Sequence, residues 1–208
     1  FSRAQRTRLS SLALRDQALA LGGLLVERQG GPPVKPYQPP GIWEEFSFNK
    51  IRYEQDHGAK LYRRSVYTFW RRSVGPTNLF DTSPRQVCTG SQPRTSSPLH
   101  SLIRFNYVTF VEAARAFGQR MRTEGGSEPR EQLAWAFRAA TSRAPDESEL
   151  AVLTGSWERN LAWYRDHPDD AEALLAVGES PRIDSLEQAQ HAAATAVASL
   201  ILNLDEVL

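Results

Sequence analysis

Five prolines, Pro32, Pro33, Pro36, Pro39 and Pro40, crowd one short stretch of this chain, with Tyr37 and Trp43 set among them. Proline fixes φ near −65° and has no N–H to donate, so this stretch can be neither a helix interior nor a central strand. It is expected to run as an extended arm over residues 31–60, wrapped on the outside of a domain. A segment without ladder hydrogen bonds gains its order from buried side chains, which makes Tyr37 and Trp43 its anchors.

The rest of the chain is organised on either side of that arm. In residues 1–30, Ser10 or Ser11 can cap a helix whose stripe is Leu14, Ala18, Leu21 and Leu25, stopped at Gly30-Gly31-Pro32-Pro33. Residues 61–96 form a strand and loop region. Ser65 to Trp70 is rich in β-branched and aromatic residues and is expected to be a short strand, paired with Gln86 to Thr89 across a turn holding Gly75, Pro76 and Asn78.

Residues 97–208 are expected to be a helical core. Ser97 caps a helix with Pro98 in its first turn and Leu99, Leu102 and Ile103 as its apolar face, ended by Asn106 in a left-handed turn. Thr109 to Glu112 has capping-box spacing ahead of the stripe Phe110, Ala114, Phe117 and Met121, which runs to Gly125-Gly126. Ser127 and Pro129 open the next helix, with Leu133, Ala136, Phe137 and Ala140 inward; Asp146 to Glu149 caps another along Leu150, Leu153, Trp157, Leu161 and Tyr164. His167-Pro168 breaks that helix, and a short one follows to Gly178. Ser185 to Gln188 caps the last, whose Ala189, Ala193, Ala196, Leu200 and Leu204 permit close approach and place it centrally. The fold class is mainly α: one helical domain spanning 1–208, with an extended Pro-rich N-terminal arm and a small β element. The chain opens at Phe1 rather than methionine, which is expected of a segment cut from a larger multidomain protein or of a processed chain.

Charge and cysteine content narrow the function classes. A net charge of +1 gives no strongly basic face for duplex nucleic acid and no acidic tail. Lysine occurs only at positions 35, 50 and 60 while arginine is abundant; this is read as compositional, with bidentate anion recognition as the functional alternative. Cys88, the sole cysteine, excludes an internal disulfide. The first apolar run is interrupted by Arg15 and Asp16, so it is neither a signal peptide nor a membrane span. No metal site is expected, because His57, His100, His167 and His191 are scattered and no CxxC, HxxH or HExxH spacing occurs. The absence of CxxCH excludes covalent haem attachment within the segment.

Four groups could still carry chemistry. Cys88 with His100 could be a nucleophile and base; the inert alternative is a buried thiol. Asp56 and His57, with Glu44, Glu45 and Glu54 nearby, could supply acid and base to a glycosidic bond, or could simply cap and pair at the surface. Arg63-Arg64 and Arg71-Arg72 bracket Tyr67, Phe69 and Trp70 as in single-strand binders, or lie at the solvated ends of an amphipathic strand. Tyr37, Trp43, Tyr53 and Tyr62 could stack on sugar rings or anchor the arm.

Several longer runs carry a resemblance. Val34 to Glu45 (VKPYQPPGIWEE), Gln55 to Gly58 (QDHG), Leu61 to Trp70 (LYRRSVYTFW), Phe110 to Ala116 (FVEAARA), Val177 to Pro181 (VGESP) and Leu202 to Glu206 (LNLDE) together span nearly the whole chain. They make it similar to the PSD-type domain, the C-terminal domain of unknown function in large exported planctomycete proteins that carry a cytochrome c-like domain and a second uncharacterised domain upstream. The family loop usually reads Thr-Asn-Thr-Pro-Leu-Gln-Ala-Leu and closes with Leu-Asn-Asp. Here the corresponding residues are Thr95 to Leu102 (TSSPLHSL) and Phe105-Asn106-Tyr107, so the Asn, Gln and Asp positions have all changed.

The resemblance implies an exported protein of the periplasm or cell envelope, with haem only in an upstream domain and no cofactor in this segment. It points to a non-catalytic binding or scaffolding module that docks on the upstream domains or on envelope polysaccharide. Candidate binding residues are Tyr37, Trp43, Arg63, Arg64, Arg94, His100 and Asn106. The alternative is a carbohydrate-active hydrolase using Asp56, His57 or Glu45, which requires these side chains around a shared cleft.

Overall fold

The computed structural model describes residues 8–71, 75, 79–82, 88, 90, 95 and 97–208, and among them eight α-helices. These are α1 (Ser11–Leu21), α2 (Ile42–Phe46), α3 (Pro98–Asn106), α4 (Val108–Glu124), α5 (Pro129–Thr141), α6 (Glu147–Asp166), α7 (Pro168–Leu175) and α8 (Gln188–Leu202). Helix α8 is central as expected, packing against α4, α5, α6 and α7, while α1 and α3 lie on α4. Its Ala192, Ala193, Ala194, Val197, Ala198 and Ile201 are fully buried. Contact with α4 is close enough that a Cβ on Gly118 would stand 2.8 Å from the backbone of Ala194 and Thr195. The expected α4 stripe of Phe110, Ala114, Phe117 and Met121 is buried, as are Leu133, Ala136 and Phe137 of α5 and Leu150, Leu153 and Trp157 of α6.

Capping is local chemistry, and part of it follows the sequence. Ser10 caps α1, accepting from Ala13 N–H, and Asp146 with Glu149 closes the reciprocal box on α6. Helix α5 uses Glu128 rather than Ser127, with Glu131 completing the box, and α8 is capped at Glu187 rather than Ser185.

The first helix ends earlier than expected. It stops at Leu21, because Gly22 sits against α4, where a Cβ would meet Ala113 O at 2.9 Å, and Gly23 takes a φ of +70°. Leu25 therefore lies beyond the helix. From there the arm runs largely extended, interrupted by α2 with the turn that follows it and by a 3₁₀ turn that begins at Gly58. Val34, Tyr37 and Trp43 are buried, and Trp43 stacks on Tyr53 at 5.2 Å and Phe69 at 5.6 Å between ring centroids. Two of these side chains are the expected anchors.

No strand forms at Ser65 to Trp70. Ser65–Tyr67 is a 3₁₀ turn, preceded by another at Gly58–Tyr62, and the β element shrinks to two isolated parallel bridges, Val26 with Arg63 and Val34 with Thr68. The arm itself is the partner: Val34 N–H donates to Tyr67 O and Phe69 N–H to Val34 O. Of the expected partner strand, Gln86, Val87 and Thr89 lie outside the described residues, and Cys88 is exposed rather than buried.

Helix α3 turns two of its three expected face residues outward, while Ile103 is half-buried against the core. Leu99 is 69% exposed and Leu102 57%, whereas His100 and Arg104 are buried. Arg104 finds partners inside, donating to Asn203 Oδ1 at 2.8 Å and to Ser101 Oγ at 3.2 Å. His100 stacks on Phe80 at 3.9 Å. Asn106 does not enter a left-handed turn. Extended Tyr107 ends α3 and begins α4 together, which leaves Thr109 and Glu112 inside the helix rather than at its cap.

Candidate functional site

Because α4 begins at Val108, Glu112 points into the molecule one turn along it, and its side chain is wholly buried. Its Oε1 accepts three hydrogen bonds: from Tyr62 O–H at 2.8 Å, Glu179 N–H at 2.7 Å and Ser180 N–H at 2.6 Å. Arg115, one turn further on, lies 3.9 Å from Oε1 and donates to Ser180 O and Oγ at 2.6 and 2.5 Å. Gly178, at a φ of +88°, leaves the space the carboxylate fills, since a Cβ there would stand 2.2 Å from the Glu112 carboxyl carbon. The electrostatics follow from burial. Desolvation, then the Glu112 charge, pushes the Tyr37 phenol well above its ordinary range, and desolvation with the Glu112 hydrogen bond does the same for Tyr62. Desolvation lowers Arg115, with Glu112 opposing it.

This clamp fixes the loop after α7, and that loop fixes the edge of a surface cleft. Glu179 N–H also donates to Tyr37 Oη at 3.0 Å, while the Glu179 carboxylate reaches outward to Gln55 Nε2, His57 Nδ1 at 2.7 Å and Gly58 N–H. Next to them, Asp56 accepts from Lys35 N–H at 2.8 Å and Lys60 Nζ at 3.0 Å, and its own N–H donates to Lys35 O at 2.9 Å. Burial opposes ionisation of Asp56, but these hydrogen bonds and the two lysines together outweigh it and hold the carboxyl below its ordinary value. The Glu54–Asp56 segment and the arm at Pro32–Lys35 thus form two walls of a cleft of about 390 Å³, closed by Arg28, Lys60 and Arg63.

The sequence-predicted residues are distributed as follows. Tyr37 and Trp43 are buried anchors, with Trp43 Nε1 donating to Gln38 Oε1. Tyr53 packs beneath Trp43 and donates to Pro36 O, so these rings and Tyr62 are engaged internally rather than presented to a sugar. Arg63 is buried and donates to Arg28 O, Gly30 O and Pro32 O, binding the arm instead of standing at a solvated strand end. Arg64 is exposed beside Asp16. His100 is buried under Phe80, Asn106 is exposed with its amide on Leu102 O, and Arg94 lies outside the described residues.

Of the three candidate catalytic groups, Asp56 lines the cleft, His57 turns to Glu179, and Glu45 is exposed on α2 away from the cleft lining. The cleft lined by Asp56 takes in neither His57 nor Glu45. Glu112, Arg115, Gly178 and Ser180 were not among the candidate site residues; the available signals were a charged pair at i and i+3 in a helix otherwise dense in buried apolar positions, and the place of all four in the runs Phe110 to Ala116 and Val177 to Pro181. Among the described residues no cluster of three or more metal-ligating side chains occurs, and no helix is long and apolar enough to cross a membrane.

No curated protein and no solved structure matches the chain. A family match does exist, over residues 1–157, to PSD1, described as a protein of unknown function (DUF1553). That span takes in the arm, α1 to α5 and the Glu112–Arg115 pair, well over half of the 208 residues, and on it the chain belongs to the PSD1 family.

Proposed function

We propose that this domain is a non-catalytic docking module of a larger exported polypeptide, and that it engages an upstream domain of that polypeptide through α3. The observation that carries the reading is the orientation of α3. Leu99, Leu102 and Phe105, spaced three residues apart, are 69%, 57% and 46% exposed, while the polar His100 and Arg104 of the same helix are buried. Leu102 and Phe105 line a shallow groove together with Ser97, Pro98, Ser101 and Asn106, which gives the surface an apolar centre and a largely polar rim. Taking a fully exposed side chain of this kind to full burial is worth about 1.5–3 kcal/mol, and roughly half to two-thirds of that remains to be gained at each of these three. An upstream domain is chosen as occupant because the resemblance implies one in the same polypeptide, present at high effective concentration. Export to the periplasm or envelope, and an upstream cytochrome c-like domain carrying the haem, belong to the same reading.

Isothermal titration of the domain with the separately produced upstream region tests it. Saturable association is expected, weakened at least about a hundredfold, or about 2.7 kcal/mol, by Leu102→Asp with Phe105→Asp. Circular dichroism should show the double variant folded. Lack of association at high micromolar concentration, or equal binding by the folded double variant, would overturn docking through α3.

A further inference from the structure

The cleft between the arm and the Glu54–Lys60 segment takes no part in docking through α3, and its lining has a chemistry of its own. Four cations, Arg28, Lys35, Lys60 and Arg63, meet there with two carboxylates, Glu54 and Asp56. In a chain with a net charge of only +1 this is a local surplus. Lys60 is neutralised by Asp56, and the Arg63 guanidinium is occupied by three backbone carbonyls. Arg28 and Lys35 form no ion pair within 4.0 Å among the described residues. Lys35 Nζ is instead held over the faces of Tyr53 and Phe69, 5.9 and 5.7 Å from the ring centroids.

The walls are already set in place. Arg63 ties down one through Arg28 O, Gly30 O and Pro32 O, and Asp56 ties the two together through Lys35. Pro32 and Pro33 add rigid apolar ring surface that loses little entropy when covered. A volume of about 390 Å³ lies within the range of small-molecule sites, about 300–1,000 Å³. A bare inorganic anion would fill little of that space and would face Glu54 and Asp56 unfavourably. A ligand with one charged group and several hydroxyls meets both halves of the lining, because carboxylates accept from hydroxyls while ammonium and guanidinium groups hold the charge.

We propose that this cleft binds a small polyhydroxylated organic anion, with Arg28 and Lys35 holding its carboxylate, Asp56 and Glu54 accepting from its hydroxyls, and Pro32 and Pro33 packing on its carbon face. The test is calorimetric titration of the chain with galacturonate, galactose and inorganic phosphate, repeated on Arg28→Ala with Lys35→Ala. The variant gives up the contacts of Lys35 with Tyr53 and Phe69, so circular dichroism should first show it folded at the titration temperature. Galacturonate should bind saturably, at least about tenfold tighter than galactose or phosphate, a difference of about 1.4 kcal/mol. The double variant should lose that preference. No saturable galacturonate binding up to about 10 mM, the weak end of small-ligand affinity, would overturn the proposal. So would phosphate binding as tightly as galacturonate, or binding unchanged in the variant.

Discussion

Arg15, Arg63 and Arg115 are all buried, yet the hydrogen bonds they make go to backbone carbonyls and serine hydroxyls rather than to carboxylates. Arg15 on α1 reaches Leu61 O, Arg63 O and Ser65 Oγ; Arg63 reaches three carbonyls of the arm; Arg115 takes both acceptors of Ser180. The irregular segments lack a ladder, so their carbonyls need donors from elsewhere, and a planar guanidinium can serve two or three at once. The predominance of arginine over lysine, read from sequence as compositional, therefore has a structural use in this fold. Glu112 performs the complementary task, accepting from two consecutive N–H groups of the Gly178 loop. Gly178→Ala tests that clamp. Its φ of +88° disfavours any side chain, and the new Cβ would overlap the Glu112 carboxylate. Strain and overpacking together should cost about 2–5 kcal/mol in urea unfolding. A loss below about 0.5 kcal/mol, typical of a neutral surface change, would mean that Gly178 and Glu112 are not in contact.

Helices α4 and α8 form the axis on which α1, α3, α5, α6 and α7 are hung, and small residues set their separation. Gly118 faces the backbone of Ala194 and Thr195, so Gly118→Ala opposes two effects. Alanine gains about 1 kcal/mol in helix propensity. Against that, a Cβ 2.8 Å from backbone atoms cannot be relieved by a rotamer change, and the helices must part at a cost of about 1–3 kcal/mol or more. The steric effect should win, giving a lower midpoint in thermal or urea unfolding; a stabilised Gly118→Ala would show that the helices sit farther apart. Helix α3 shows the limit of patterning at this level. Its sequence has an apolar face, but Arg104 and His100 find partners in Asn203, Ser101 and Phe80, so the polar side is the one turned inward. A hydrophobic stripe identifies a face without saying which surface will cover it.

For the molecule as a whole, acid sensitivity should begin at His191. It is 2% exposed on α8, and burial lowers its pKa, with a hydrogen bond to Arg115 O opposing and the nearby Arg115, Arg182 and Arg122 adding to the depression. The unfolded chain therefore takes up a proton that the folded one refuses. Stability is full above about pH 6.5 and falls below it by up to about 1.4 kcal/mol per pH unit, until the folded pKa is reached. Asp56 is displaced in the same direction but in a lower pH window, and its contribution is lost only as pH falls from about 3.9 through its lowered folded value. Urea midpoints of the parent and His191→Gln across pH 7 to 5 check this, with the variant expected to show the flatter slope. Equal slopes would remove His191 as the cause.

The extended arm with its aromatic anchors, the helical remainder, the box at Asp146–Glu149, the break at His167-Pro168 and the central place of α8 could all be read from the residues. Each rests on chemistry within a few positions: a ring that fixes φ, a side chain reaching a nearby N–H, a 3.6-residue period. The 3₁₀ turns at Gly58–Tyr62 and Ser65–Tyr67, the outward face of α3, the buried Arg15 and the Glu112 clamp could not. Glu112 meets Glu179 across 67 residues, and Asp56 meets Lys35 across 21. Local propensity has no term for such partners. Whether a charged side chain is solvated, paired or caged is decided when distant backbone arrives with donors to satisfy it, and here that meeting gave Glu112, Arg115 and the cleft their places.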